Sequence, residues 1–440
     1  MPSYHWTYTS RVLGAAGILS LGYYAIFASS HTSAWTGFSA PDEVEVGELS
    51  HLWNSTLGFQ KIFIINMPSR TDRRDAITLA AAVSNLNLDF IEGVGGDSIP
   101  EAAFPPEGSA ESIKLSTGIK GSWRSHMNAL HEIVHQNISS ALIFEDDVDW
   151  DIRLRYQLDM FSAASRFLTK EPNPDLSEYH VESTMNPEDP EKSIHNNSSP
   201  YPISPALQSL LLSSAASGQP DISLPYGDPA SWDVLWLGHC GAGFPRTPPT
   251  DHVEQTIQNI ILTNLNDHTV PLPKYLRAHP FGPLDALAAS HSPHTRVYHR
   301  ASGGALCTVA YAVSQRGARR LLHEFGVKKW SRIWDVEMGD WCAGQDAHPA
   351  ESPASKSQNS ERTWISEKER SSTSERVCVT VQPPIFAHHH PPGGESNIGG
   401  VGGGYARMVE TKYVRLSVRL NLDALLRGKG EEDLVDQWPD

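Results

Sequence analysis

Three consecutive acids, Glu145-Asp146-Asp147, close the apolar run Ala141-Leu142-Ile143-Phe144. A buried strand that ends abruptly in carboxylates sets hard oxygen ligands at a strand's carboxyl end, where open α/β sheets bind their ligands. Such a set suits Mn²⁺ or Mg²⁺, held by one or two carboxylates while substrate phosphates complete the coordination. Glu145 and Asp147 are the candidate metal ligands, and Asp146 is assigned to the phosphate-bearing ligand. An acidic turn on an acidic protein would read the same way. A second loop strengthens the case. Lys61-Ile62-Phe63-Ile64-Ile65-Asn66 empties into a segment carrying Arg70, Arg73 and Arg74 just before a helix N-terminus. Guanidinium forks and free backbone amides there suit a diphosphate or the polar edges of a nucleotide, with Asn66 at the strand end. Arginines paired with Asp72 and Asp75 on a solvated helix face are the plain alternative.

Other candidates are less specific. Ser125 and His126 stand where a helix from about Trp123 through Val134 should start, so Ser125 reads as its cap and His126 as a residue facing the bound ligand, or as a buried hydrogen-bonded histidine. His388 follows Gln382-Pro383-Pro384-Ile385-Phe386 and is a candidate late metal ligand; the His388-His389-His390 cluster otherwise reads as loop composition. Trp236, Trp330, Trp334 and Trp341 are either stacking platforms or core.

The elements that must position these groups alternate. Residues 61–66 form a strand, a helix runs on to about Leu88, Leu88 to Val94 is a second strand, and the Trp123 helix leads to the strand that ends at Glu145. Strands at 231–238 and 305–313, and a helix at 316–325, continue the pattern. Alternation implies an α/β fold with a mainly parallel sheet flanked by helices. With 33 glycines and 31 prolines the chain has long loops, and insertions are expected at about 170–230, rich in Pro, Ser, Asn and Asp, at 343–376, dominated by Ser, Glu and Lys, and at 388–404, which contains HHHPPGGESNIGGVGGG. A helix is expected within the first of these, around Ala206 to Leu212. The remaining domain boundaries are a cytosolic N-terminus over 1–11, an apolar segment over 12–28, a stem over 29–58 and a folded domain over 59–440.

A net charge of −16 repels a phosphate backbone and excludes nucleic acid as a partner. Val12 to Ala28 is 17 uncharged residues, about 26 Å as a helix, preceded by Arg11. It reads as a signal-anchor that leaves the N-terminus in the cytosol and the rest in the lumen of the endoplasmic reticulum or Golgi; a cleaved signal peptide ending near Ala28-Ser29-Ser30 is the rival. Sequons at Asn54, Asn137, Asn196 and Asn197 agree with that address. Four cysteines without CxxC spacing favour disulfides over zinc, Cys342 with Cys378 across a hydrophilic insert and Cys240 with Cys307.

In order along the chain, IINMPSRTDRR, GIKGSWRSHMNAL, ALIFEDDV, and AYAVSQRGARRLL with WDVEM resemble the motifs of glycosyltransferase family 25, which includes lipopolysaccharide glycosyltransferases and procollagen galactosyltransferases. Ser122 stands where bacterial members usually carry cysteine, and the tail VRLSVRLNLDALL is similar to fungal members. The resemblance implies a GT-A-like fold and a metal-dependent hexosyltransferase that takes galactose or glucose from a UDP-sugar donor to a protein or glycan acceptor with inversion. Single-step inversion needs a carboxylate to take the acceptor hydroxyl's proton. Asp335 is the candidate base and Glu337 the second choice; an ordinary helix-start aspartate is the alternative. A catalytically inactive sugar-binding protein and a metal-dependent phosphoesterase are the competing readings.

Overall fold

The apolar runs at 61–66 and 140–145 become strands because both of their faces are covered. β1 (Lys61–Asn66) lies between β2 (Asp89–Glu92) and β3 (Ser140–Glu145), and all three are parallel. α1 (Thr71–Val83) carries the chain from β1 to β2, and α2 (Thr117–His135) from β2 to β3. Two such crossovers bring the carboxyl ends of the three strands, Asn66, Glu92 and Glu145, to one edge. The computed structural model describes residues 52–170, 181–182, 208–215, 223–245, 257–277, 292–301, 304–344, 376–391, 397–398 and 410–440.

The chain continues through β4 (Val148–Trp150), α3 (Leu154–Leu168), β5 (Val181–Glu182), β6 (Gln208–Leu211), β7 (Val234–Gly238), β8 (Ile260–Asn264), β9 (Arg296–Arg300) and β10 (Ala310–Ser314). Then come α4 (Gln315–Leu321), extended by a π-helical turn over Leu322–Lys328, α5 (Trp334–Cys342), β11 (Cys378–Gln382), β12 (Phe386–His390) and β13 (Glu410–Thr411). The strand order is β2-β1-β3-β10-β7-β11-β9-β8-β6-β5, with β12 reaching β4, β7 and β13. This is the α/β, helix-flanked sheet expected of a GT-A-like domain. Its parallel block is β2-β1-β3, together with the β7–β11, β7–β12 and β6–β8 pairs; β10 enters antiparallel between β3 and β7. That reversal has a consequence for the site. The residues before β10 meet the end of β3, and Glu145 N donates to Val309 O at 3.0 Å.

Apolar positions of α2 at helical spacing, Trp123, Met127, Leu130 and Ile133, are buried against Phe325, Trp330 and Trp334. Trp123 stacks on Trp330 at 4.5 Å between ring centroids and donates its indole N–H to Phe325 O. Trp236, Trp330, Trp334 and Trp341 are all core residues, so none of them is a platform for sugar. Both expected disulfides, Cys240–Cys307 and Cys342–Cys378, are formed.

Several boundaries differ from the expectations. α2 begins six residues before Trp123, and its cap is Ser116, whose Oγ accepts from Ile119 N at 3.4 Å, so Ser125 is an interior residue. Gly118 and Gly121 lower helix propensity in the first turns and disguise the start. Gly121 is required by packing: a Cβ there would stand 2.3 Å from Val94 O. The helix expected at Ala206 to Leu212 is instead strand β6, paired parallel with β8, followed by the helical turn Leu212–Ala215. A short apolar run does not distinguish the two by periodicity, and the edge of β8 decides it. His388 to His390 belong to β12, not to a loop. Leu52 and Leu57, counted in the stem by composition, are buried, with Tyr226 Oη donating to Leu57 O at 2.8 Å. Residues 423–434 belong to a separate unit, stabilised within itself by the Arg427–Asp423 and Lys429–Asp433 ion pairs. The Val12 to Ala28 segment, most of the stem, the sequons at 196–199 and most of the three expected insertions lie outside the described residues. No described helix is long and apolar enough to cross a membrane.

Candidate active site

The structure gathers the acidic end of β3, the α1 N-terminus and β12 at one place. Glu145 and Asp147 meet His388 there: one ligand atom from each of the three lies within 4.8 Å of the others. His388 Nε2 is 3.6 Å from both Glu145 Oε2 and Asp147 Oδ1. β12 sets this geometry by pairing His388 with Val148 of β4, immediately after the acidic loop. Asp147 Oδ2 receives Arg73 Nη1 at 2.9 Å, whereas Oδ1 is buried with no hydrogen-bond partner. A buried carboxylate oxygen left without a donor is costly. Two carboxylates and an imidazole converging beside that oxygen form a donor set suited to Mn²⁺ or Mg²⁺. The sulfurs of Cys240 and Cys307 also lie near His388 but are tied in a disulfide, so they are not thiolate ligands.

Charge at the site is balanced by neighbours. Burial opposes ionisation of Glu145, but bonding to His126 and His388 and their charge outweigh it and hold the carboxyl far below the usual range. Burial likewise disfavours the charged form of His388, and the adjacent Asp147 and Glu145 override it and raise its pKa. Asp146 faces the other way. It accepts from Arg73 Nη1 at 2.7 Å and from Asn66 Nδ2 at 2.8 Å, yet burial and the charge of Asp147 still raise its pKa. Asn66 and Arg73 are therefore bonded to the acids of the loop. Arg70 is engaged by Asp72 and by Asn397 Oδ1 at 2.6 Å, and the Arg74 guanidinium lies over the Phe90 ring at 4.3 Å.

A buried network supports Glu145 from behind. Thr308 Oγ1 donates to Glu145 Oε1 at 2.7 Å, His126 Nε2 is 3.6 Å from the same oxygen, and His126 Nδ1 lies 2.9 Å from the Tyr311 hydroxyl. His126 thus lies between the Glu145 carboxylate and the Tyr311 hydroxyl. Ser125, its neighbour, donates to Gly121 O and accepts from Val94 N at 2.9 Å, which fastens α2 to the segment after β2. Asp335 in the first turn of α5 accepts from Cys307 N and Val336 N, each at 2.7 Å. Burial raises its pKa, these amides offset part of the effect, and the charge of Glu145 adds to it. The Cys240–Cys307 disulfide spans the two halves of the site: Cys240 Sγ is 3.6 Å from His388 Nδ1, and the Cys307 amide holds Asp335.

Residues that the sequence analysis did not single out complete the site. Asp149 is fully buried in β4 and accepts from Thr411 Oγ1 at 2.6 Å, from Ser417 Oγ and from Arg419 N. Val418 N donates to Trp150 O at 2.9 Å, so the tail VRLSVRL lies along β4. From it, Arg419 Nη2 donates to Asp146 O at 2.6 Å. The signal available was the alternation of Val414, Leu416 and Val418, all buried.

Residues 59–191 match the sequence model of Glycosyltransferase family 25 (LPS biosynthesis protein). The resemblance is to glycosyltransferase family 25. Among related proteins, Procollagen galactosyltransferase 1 of Danio rerio is 30% identical over 115 residues, covering 23% of this chain and 18% of that protein. Inactive glycosyltransferase 25 family member 3 of Homo sapiens is 29% identical over 118 residues, covering 24% and 19%. Procollagen galactosyltransferase 2 of Mus musculus is 24% identical over 111 residues, covering 23% and 18%. The matched part of this chain thus spans less than a fifth of these relatives' length. The segment that matches the family model contains β1, α1, α2 and the acidic loop, and it stops before Thr308, Asp335, His388 and Arg419.

The late acidic pair separates in the structure. Asp335 turns toward Cys307 and the acidic loop, whereas Glu337 is buried and accepts from Ser331 N, Ser331 Oγ, Arg332 N and Arg332 Nη2. These contacts make Glu337 the clamp of the turn before α5. Glu337→Ala removes the acceptor for this group of donors and should cost about 1–3 kcal/mol in denaturant unfolding. Unchanged stability together with lost turnover would return Glu337 to the chemistry.

Proposed function

We propose that this chain is a metal-dependent, inverting glycosyltransferase that moves a hexose, galactose or glucose, from a UDP-sugar to a protein or glycan acceptor. The observation that carries the reading is the convergence of Glu145, Asp147 and His388 on a buried carboxylate oxygen that accepts no hydrogen bond among the described residues, at the end of a strand that lies in the segment matching glycosyltransferase family 25. Glu145, Asp147 and His388 would hold Mn²⁺ or Mg²⁺, which supplies positive charge to a leaving diphosphate. Arg73 fixes both aspartates of the loop, and Asn66 orients Asp146 toward the donor. His126 and Thr308 keep Glu145 in place and ionised.

In the transfer, the acceptor oxygen bonds to the sugar's anomeric carbon as the bond from that carbon to the diphosphate oxygen breaks. The bonding pair leaves with UDP, and the acceptor's proton passes to the Asp335 carboxylate. The raised pKa of Asp335 suits it to that proton, and its two amide contacts fix its orientation. A lumenal address on the Val12 to Ala28 anchor fits with the two disulfides; retention in the membrane fraction after carbonate extraction is expected, and a mature chain starting near His31 would contradict it. A relative named as inactive keeps the sugar-binding alternative in view.

Turnover separates these readings. A panel of UDP-sugars with Mn²⁺ should give metal-dependent transfer or donor hydrolysis, and binding without turnover would favour the inactive reading. Asp147→Ala should abolish Mn²⁺-dependent UDP binding in calorimetry while leaving the circular dichroism spectrum unchanged. Asp335→Asn should lower turnover by about 10²- to 10⁴-fold with donor affinity retained. Near-normal turnover would place the base elsewhere, and loss of UDP binding would move Asp335 to the donor site.

A further inference from the structure

Arg419 reaches the acidic loop from the far end of the chain, outside the segment that matches the family. Among the described residues its guanidinium makes one hydrogen bond, from Nη2 to the Asp146 carbonyl oxygen, and its Nε is buried with no partner. Among the described residues no carboxylate oxygen lies within ion-pair distance of it, although Asp146, Asp147 and Asp149 are close enough to act on its charge. A guanidinium has five donors in a planar fork and loses hydration when enclosed. One carbonyl is poor compensation for a half-buried guanidinium whose Nε is closed off from water, since an arginine in that position ordinarily meets a carboxylate or a phosphate. The neighbouring cation offers a contrast. Arg73, on the α1 side of the same loop, satisfies both Asp146 and Asp147 at 2.7 and 2.9 Å.

The tail holds Arg419 where it is. Its own amide donates to Asp149 Oδ1 at 3.1 Å, and Leu420 N donates to Ser417 Oγ at 2.9 Å. Ser417 in turn donates to Asp149, which Thr411 also bonds. The arginine is therefore placed by a rigid buried carboxylate, with its head group left largely unspent beside the loop proposed to bind the donor.

We propose that Arg419 is a diphosphate-binding residue of the donor site, its free guanidinium N–H groups donating to phosphoryl oxygens of a nucleoside diphosphate. This deepens the proposed function and rests on it. The acidic loop holds the metal on one side, and the arginine adds a second, metal-independent contact that recognises phosphate rather than base or ribose. The tail then acts as part of the donor site and not only as a brace for β4.

The test compares UDP with uridine, which lacks the diphosphate, on the full chain with Mn²⁺ present. In calorimetry, Arg419→Gln should weaken UDP binding by about tenfold to a hundredfold, and Arg419→Lys by less. Uridine binding, Mn²⁺ binding in the absence of nucleotide and the melting temperature of Arg419→Lys should stay near those of the unmodified protein. UDP affinity unchanged in both variants would overturn the assignment and leave the proposed function standing. A parallel fall in uridine and Mn²⁺ binding in Arg419→Lys would also overturn it, because that pattern marks a brace. Failure of the unmodified chain to bind UDP at all would overturn both this assignment and the proposed function.

Discussion

The concentration of negative charge at the end of β3 is the constraint around which the structure is arranged. Asp146 and Asp149 are buried at this sheet end, and Glu145 and Asp147 are half-buried beside them. Carboxylates so placed cannot all stay ionised without compensation. Each is answered from a different part of the chain: Asp146 and Asp147 by Arg73 from α1, Glu145 by His126 from α2 and Thr308 before β10, and Asp149 by Thr411 and Ser417 from the tail. His388 from β12 closes the ring. Elements more than two hundred residues apart in sequence are drawn together because they carry the countercharges. Asp147 Oδ1, 3.6 Å from His388 Nε2, still accepts no hydrogen bond among the described residues.

The sheet makes the convergence geometrically inevitable for the early elements and less so for the late ones. Parallel β1 and β3 deliver Asn66 and Glu145 to the same edge, so the loops that follow them must meet. β10 and β12 arrive by other routes. β10 runs antiparallel to β3, which turns the chain before it, including Thr308 and the Cys307 amide, toward Glu145 and Asp335. β12 pairs with β4 and touches β7, which places His388 across from the acids. The Cys240–Cys307 disulfide joins the end of β7 to the approach to β10 at this junction and contacts both the His388 ring and the Asp335 clamp.

What the sequence made legible follows from range. Apolar runs such as Lys61–Asn66 and Ser140–Glu145, and the acids and arginines directly attached to them, are local signals, and their strand and loop assignments agree with the structure. The start of α2 was hidden by glycines whose purpose is a tertiary one, the close passage of Val94 and Gly96 at Gly121 and of Asn397 and Ile398 at Gly118. The 206–212 run carried no period that separates strand from helix, and the edge of β8 resolved it. The three consecutive histidines could not be ranked from composition. Register against β4 does so: His388 faces Glu145 and Asp147, whereas His389 turns to Thr411 and Asp149. Asp149, Thr308 and Arg419 carry no local signal of a role, since their partners are distant along the chain. Asp335 and Glu337 were alike as candidate bases in the sequence, and the fold separates them: Asp335 meets the Cys307 amide, whereas Glu337 binds the turn at Ser331 and Arg332.

The central claim is that Glu145, Asp147 and His388 together hold a divalent cation. Electron spin echo envelope modulation of the full chain loaded with one equivalent of Mn²⁺ reads this directly, because it detects the nitrogen nucleus of a coordinated imidazole. The account predicts modulation from a single histidine nitrogen that disappears in His388→Ala and persists in His389→Ala. Bound Mn²⁺ with no nitrogen modulation, or modulation that survives the loss of His388, would contradict it.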